Sequence, residues 1–159
     1  MMATTVHEEL AYDAPVEAVS AMLLDASFRE QVLERQRVLR SSVAVDGGRV
    51  RIEQVQSAHG IPAFASKFVG DEITIVQEED WTTPTGAAVT VTIPGKPGDM
   101  SGRAELAGTG SGTVETVDLT VRVSIPLVGS KIEKLIADLL VKALRKEHEV
   151  GTEWLARRA

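Results

Sequence analysis

Apolar and polar positions alternate or recur with clear periods along most of this chain. From Leu127 to Arg158, Ile132, Leu135, Ile136, Leu139, Leu140, Ala143, Leu144, Val150 and Trp154 fall on one arc at a 3.6-residue spacing. Lys134, Asp138, Lys142, Arg145, Glu149 and Thr152 fall outside it. The spacing predicts one long amphipathic helix of roughly 40 Å, at about 1.5 Å per residue. Ser130 followed by Glu133 reads as a capping box at its start. No other segment predicts a comparable helix, so this one needs a large apolar surface to cover.

The rest of the chain supplies that surface as strands. Thr5 to Tyr12 alternates with a period of two and predicts an opening strand. Asp13-Ala14-Pro15 starts a short helix, with Asp13 or Ala14 near the cap, Pro15 in the first turn and Val16, Val19, Met22 and Leu23 on its apolar face. A second short helix is predicted from Ser27 to Arg37, with Phe28, Val32 and Leu33 inward. Strands follow over 38–45, 49–56, 72–82, 87–93, 100–107 and 113–125. The breaks between them are short and turn-rich, with Asp46-Gly47-Gly48 reading as a hairpin turn. The stretch around Gly60-Ile61-Pro62 reads as an ordered loop or short helix. Such short connections force antiparallel neighbours, so the chain predicts a single α+β domain over 1–159.

Composition narrows the function. The net charge of −6 argues against a nucleic-acid surface, and no apolar run is long enough to span a membrane. With no Cys there is no thiolate metal site or thiol nucleophile, and the N-terminus lacks a signal-peptide pattern. The expected location is the cytoplasm. His7, His59 and His148 form no metal-binding spacing, and Gly108-x-Gly110-x-Gly112 precedes a strand rather than a helix, so it reads as a turn. No metal, no cofactor and no catalytic residue is assigned.

The element order, with the long helix last, resembles the helix-grip fold of START lipid-transfer domains, Bet v 1-like proteins and polyketide cyclases (the SRPBCC superfamily). The most specific local piece is Val123-Ser124-Ile125-Pro126-Leu127-Val128-Gly129-Ser130-Lys131-Ile132-Glu133, where the last strand turns into the helix. With Trp154-Leu155 near the end, the chain looks like an uncharacterised family of that superfamily from high-GC Gram-positive bacteria. The resemblance implies a strongly curved seven-stranded antiparallel sheet gripping the helix, and an apolar cavity between them for a lipid, sterol or polyketide-like ligand.

Candidate site residues follow from which faces turn inward. If Ile73 and Ile75 face in, so do Gln77, Glu79 and Trp81, and if Val50 and Ile52 face in, so do Gln54 and Gln56. The alternative is strand ends in water. On the last strand Glu115, Val117, Leu119, Val121, Val123 and Ile125 share one face, and Thr116, Asp118, Thr120, Arg122 and Ser124 the other. Glu147 lies near the middle of the helix's apolar arc. Solvation beyond the sheet's edge is the preferred reading for it, and a ligand anchor or an acid–base group is the other.

The resulting ligand-binding set is Gln54, Gln77, Glu79, Trp81, Val91, Leu119, Ile136, Leu139, Ala143 and Glu147, with Ile61, Phe64 and Phe68 at an entrance. A carrier or sensor for an apolar or amphipathic small molecule is the leading reading. A cyclase-, aromatase- or hydrolase-like enzyme using a pocket carboxylate is the alternative, and the balance leans away from an enzyme. A regulatory interaction module without a ligand is the third reading, and a homodimer is left open.

Overall fold

A computed structural model describes residues 3–158; Met1, Met2 and Ala159, which belong to the opening stretch and the domain span expected from the sequence, lie outside the described residues. Strand β1 (Thr4–Tyr12) leads into helices α1 (Val16–Leu23) and α2 (Ala26–Arg35). Strands β2 (Arg40–Asp46) and β3 (Arg49–Ser57) form a hairpin closed by Gly47 at φ +61°. A single-turn helix α3 (Ala63–Ser66) follows, then β4 (Glu72–Thr83), β5 (Gly86–Thr92), β6 (Gly98–Thr109), β7 (Gly112–Val123) and the 29-residue helix α4 (Gly129–Arg157).

The strands make one antiparallel sheet in the order β1-β7-β6-β5-β4-β3-β2. The first strand therefore pairs with the last, and β2 through β7 run as a meander. This is the helix-grip architecture: an open seven-stranded sheet, two early helices and a long closing helix. One face of each strand is covered. Along β7 it is Thr113, Glu115, Val117, Leu119, Val121 and Val123, the alternation expected from the sequence.

Three local details differ from the expectation. Pro15 occupies the cap position of α1 rather than its first turn, because the extended backbone there stops the helix short. Helix α2 begins at Ala26 and is capped by Asp25, whose Oδ1 accepts from the Ser27 and Phe28 amides at 2.8 and 3.4 Å. Helix α4 begins at Gly129 with no side-chain cap, so the Ser130–Glu133 capping box does not form. Glu133 instead turns inward, 3% exposed, and accepts from the Val123 amide at 2.9 Å and the Thr4 hydroxyl at 3.1 Å. That carboxylate ties the start of α4 to β7 and β1.

At its other end α4 comes down onto β1 and α1. A Cβ on Gly151 would stand 2.9 Å from the Tyr12 ring and 3.1 Å from the Met22 methyl, so only glycine allows this approach. Trp154 packs edge-on against Phe28 of α2, with ring centroids 5.6 Å apart. The long helix is thus fixed at both ends, by Glu133 and by Gly151–Trp154, and between them it runs beside β1, where Arg145 Nε donates to Glu8 Oε1 at 3.2 Å.

Candidate functional site

Between the middle of α4 and the sheet lies a cavity of about 570 Å³. That is within the range of about 300–1,000 Å³ usual for small-molecule sites. Its walls are mostly aliphatic: Val89 and Val91 of β5, Val117 and Leu119 of β7, Ile73 and Ile75 of β4, and Ile136, Leu140 and Leu144 of α4. The elongated helix supplies a wide apolar arc, and the strands opposite meet it with aliphatic side chains and no aromatic ring, which leaves room beneath the helix. The space between stays open for that reason.

One end of the cavity is polar and buried. Arg29, on α2, is 3% exposed and sits at its centre. Its Nε donates to the Leu23 carbonyl at 2.8 Å, Nη2 to Glu79 Oε1 at 2.7 Å, and Nη1 to both Glu79 Oε2 at 3.1 Å and Glu147 Oε1 at 3.0 Å. Glu79, on β4, also accepts from Gln77 Nε2 at 2.6 Å and Trp81 Nε1 at 2.9 Å, so each of its oxygens has two donors. Burial opposes the charge on Arg29, but Glu79 and Glu147 hold its pKa above the usual arginine value. Burial raises the Glu147 pKa above the ordinary carboxylate range even though Arg29 pulls the other way.

A third carboxyl completes this end. Glu115 of β7 is 4% exposed and lines the cavity, and its Oε1 has no hydrogen-bond partner among the described residues. Burial first, then the neighbouring Glu147 and Glu79, push its pKa well above the usual carboxylate value. Three carboxyl groups share one guanidinium, and desolvation makes the least-bonded of them the cheapest to keep protonated. Tyr12 of β1 lies one step along the ladder from Glu115, since Leu10 pairs with Glu115 and Tyr12 with Thr113. Its hydroxyl is also buried without a partner, and burial raises its pKa.

The far end is different. Glu115 and Val123, eight residues apart on β7, stand about 26 Å apart at roughly 3.3 Å per residue. Around Val123 the lining passes to Ile61, Phe68, Ile125 and Ile132, and then to the exposed His59 and Lys96. Leu139, 47% exposed, also lines the cavity, which marks an opening beside the middle of α4.

Most residues singled out from the sequence come together here. Gln54, Gln77, Glu79, Val91, Leu119, Ile136, Leu139, Ala143 and Glu147 line the cavity, as do Ile61 and Phe68 at the open end. Trp81 stands behind the wall and reaches the site only through its indole hydrogen bond to Glu79. Phe64 lies outside the lining too, packed in a small cluster with Ala65, Val123 and Ile132 under the Lys131 ammonium. The solvated reading of Glu147 is corrected: its side chain is 12% exposed and paired with Arg29, because α2 covers that part of the helix. Sequence patterns alone assign no role to Arg29, Glu115 or Tyr12. A signal for Arg29 exists, since 29, 32, 33 and 36 share a helical face with the inward Val32 and Leu33.

Comparison with known proteins agrees with this architecture. The fold is shared with an aromatase/cyclase, ZhuI from Streptomyces sp. R1128, at TM-score 0.68 and 13% identity, covering 99% of this chain and 96% of that one. It is shared as well with a START superfamily protein of Mycobacterium smegmatis, at TM-score 0.64 and 16% identity, covering 95% and 98% of the two chains. The class is therefore the START-like, helix-grip fold. Within it, residues 7–155 match the family described as "Protein of unknown function (DUF2505)", and the chain belongs to that family. It is also similar to the uncharacterized protein Rv0481c of Mycobacterium tuberculosis, 25% identical over 118 residues that cover 69% of this chain and 68% of that protein. No helix among the described residues is long and apolar enough to cross a membrane.

Proposed function

We propose that this protein binds an apolar or amphipathic small molecule in the space between α4 and the sheet, as a carrier or sensor working in the cytoplasm. The observation that carries this is the 570 Å³ cavity, aliphatic along its walls and polar at one buried end. A well-packed domain leaves few voids larger than a water molecule. An aliphatic space of this size is lined at a cost in lost packing that an apolar guest would recover. Gln54, Gln77, Val91, Leu119, Ile136, Leu139 and Ala143 are the proposed contacts along its length, Glu79 and Glu147 hold its polar end, and Ile61 and Phe68 flank its entrance. The START superfamily and aromatase/cyclase neighbours support the reading as relatives in fold.

Native mass spectrometry of the purified protein, followed by organic extraction, tests it. A co-purifying hydrophobic compound, or uptake of one from a lipid and sterol library at one molecule per chain, is the expected result. A chain that neither carries nor takes up any such compound overturns it.

A second reading has a specific observation in its favour. Two buried carboxyls, Glu115 and Glu147, face one cavity with pKa values raised above the ordinary range. That arrangement suits acid–base chemistry on a bound ligand, as in an aromatase- or cyclase-like enzyme. Turnover of a bound polyketide-like compound that is abolished in Glu115→Gln would favour it. The ligand-free interaction module is the weakest reading, because it needs a filled interior.

A further inference from the structure

We infer that the closed end of the cavity takes the cationic head of an amphipathic amine, with the Glu115 carboxylate as its counter-ion; this deepens, and rests on, the ligand-binding reading above. The first ground is the number and state of the charged groups. The buried end holds one guanidinium and three carboxyl groups, from α2, β4, β7 and α4. Four of the guanidinium's five N–H groups are already engaged. Its Nε, Nη1 and Nη2 are all donating, to the Leu23 carbonyl, Glu79 and Glu147. An anionic head would find no free fork to receive it and would stand beside the carboxyls instead.

The second ground is the pair of unanswered polar atoms. Glu115 Oε1 and the Tyr12 hydroxyl are buried without a partner, although a native fold leaves few such groups. Glu115 lines the cavity, 4% exposed, so a ligand can reach its carboxyl. What Glu115 lacks is a cationic partner of its own, since Arg29 is bonded to Glu79 and Glu147. An ammonium brings three donors and no acceptor, which fits an acceptor-rich, cation-poor site. The aliphatic walls beyond would hold the remainder of the molecule.

Without a cation, burial and the carboxyls of Glu147 and Glu79 favour the protonated form of Glu115, with Arg29 opposing. The groups facing it are Arg29, Glu79, Glu147 and the Tyr12 hydroxyl. When a protonated amine enters, the Glu115 proton leaves to solvent and the ammonium keeps its own. Amine binding therefore releases up to one proton, and alcohol binding releases none.

Isothermal titration calorimetry with decylamine, decanol and decanoate, in two buffers of different ionisation enthalpy, tests this on the whole chain. The amine is expected to bind at least roughly tenfold tighter than the alcohol near neutral pH, a difference of about 1.4 kcal/mol. It should release a proton, and decanoate should bind worst. In Glu115→Gln the advantage of the amine and the proton release disappear, while decanol still binds. Equal affinity of amine and alcohol, a preference for decanoate, or an amine advantage that survives Glu115→Gln overturns the head-group assignment and leaves the cavity reading standing. If none of the three compounds binds, the cavity reading itself falls and this inference falls with it. Proton release measured on the unmutated protein decides between these outcomes even if the variant folds poorly.

Discussion

Arg29 and Glu79 meet two-for-two, Nη2 to Oε1 at 2.7 Å and Nη1 to Oε2 at 3.1 Å, with side chains only 3% and 7% exposed. They come from a helix and a strand 50 residues apart in the chain, so the pair forms only when α2 closes over the sheet. A forked pair of this kind is specific in geometry, and its removal strands the remaining charges.

Arg29→Met should therefore destabilise the fold by about 3–5 kcal/mol, since Glu79 and Glu147 lose their buried cation. Arg29→Lys should recover only part, because an ammonium cannot fork. Urea denaturation of the variants measures both. By contrast, the Arg35–Glu153 pair, 42% and 44% exposed, sits in water, and Glu153→Gln should leave the urea midpoint unchanged.

The pH dependence should carry the mark of Glu115. Its pKa in the folded protein lies well above the unfolded value, so the native state holds a proton that the unfolded state has lost. The stability this group contributes should be fully present below the ordinary carboxylate pKa and be lost as pH rises from there through the folded pKa. Glu147 shifts in the same direction and adds to the slope. Glu115→Gln should flatten this decline and raise the melting temperature near pH 8 relative to the parent. Thermal melts from pH 4 to pH 9 check it, and an unchanged slope in the variant would count against a protonated Glu115.

Glu133 should matter for the seating of α4 although its own side chain does not line the cavity. Its carboxylate answers the buried Val123 amide and the Thr4 hydroxyl. Glu133→Ala should cost about 1–3 kcal/mol, the usual penalty for a buried donor left unanswered. Hydrogen exchange at the Val123 amide should quicken while that of the β3–β4 ladder stays protected.

Filling the cavity separates binding from folding. Ala143 of α4 lines the space and is only partly buried, so a phenyl ring there projects into an existing void. Ala143→Phe should lower ligand affinity at least tenfold and leave the melting temperature equal or higher, since it adds apolar contact without displacing packed atoms. Titration with whichever hydrophobic compound co-purifies, alongside a thermal melt, checks both halves.

Much of this molecule is legible from residue order. A period of two sets the faces of β4 and β7, and so puts Gln77 and Glu79 on the face of Ile73 and Ile75, and Glu115 on that of Val117 and Leu119, without knowledge of any contact. A period of 3.6 sets the arc of α4 and puts Glu147 at its centre. Those patterns are local, and they survive because each strand or helix must bury one face. What they leave open is Glu147's surroundings, since the covering group belongs to α2, over a hundred residues away. The exclusion of Trp81 and Phe64 from the cavity has the same origin. Each is an inward or apolar residue by pattern, yet each spends its side chain on a neighbour rather than on the open space.

The sequence by itself determined the element order, the antiparallel sheet and the apolar arc of the closing helix, because turns, periodicity and short connections are properties of neighbouring residues. The tertiary structure alone decided that Arg29 answers two carboxylates and leaves Glu115 without a partner. Charge balance in a buried site is a sum over side chains brought from α2, β4, β7 and α4, and no stretch of sequence holds that sum.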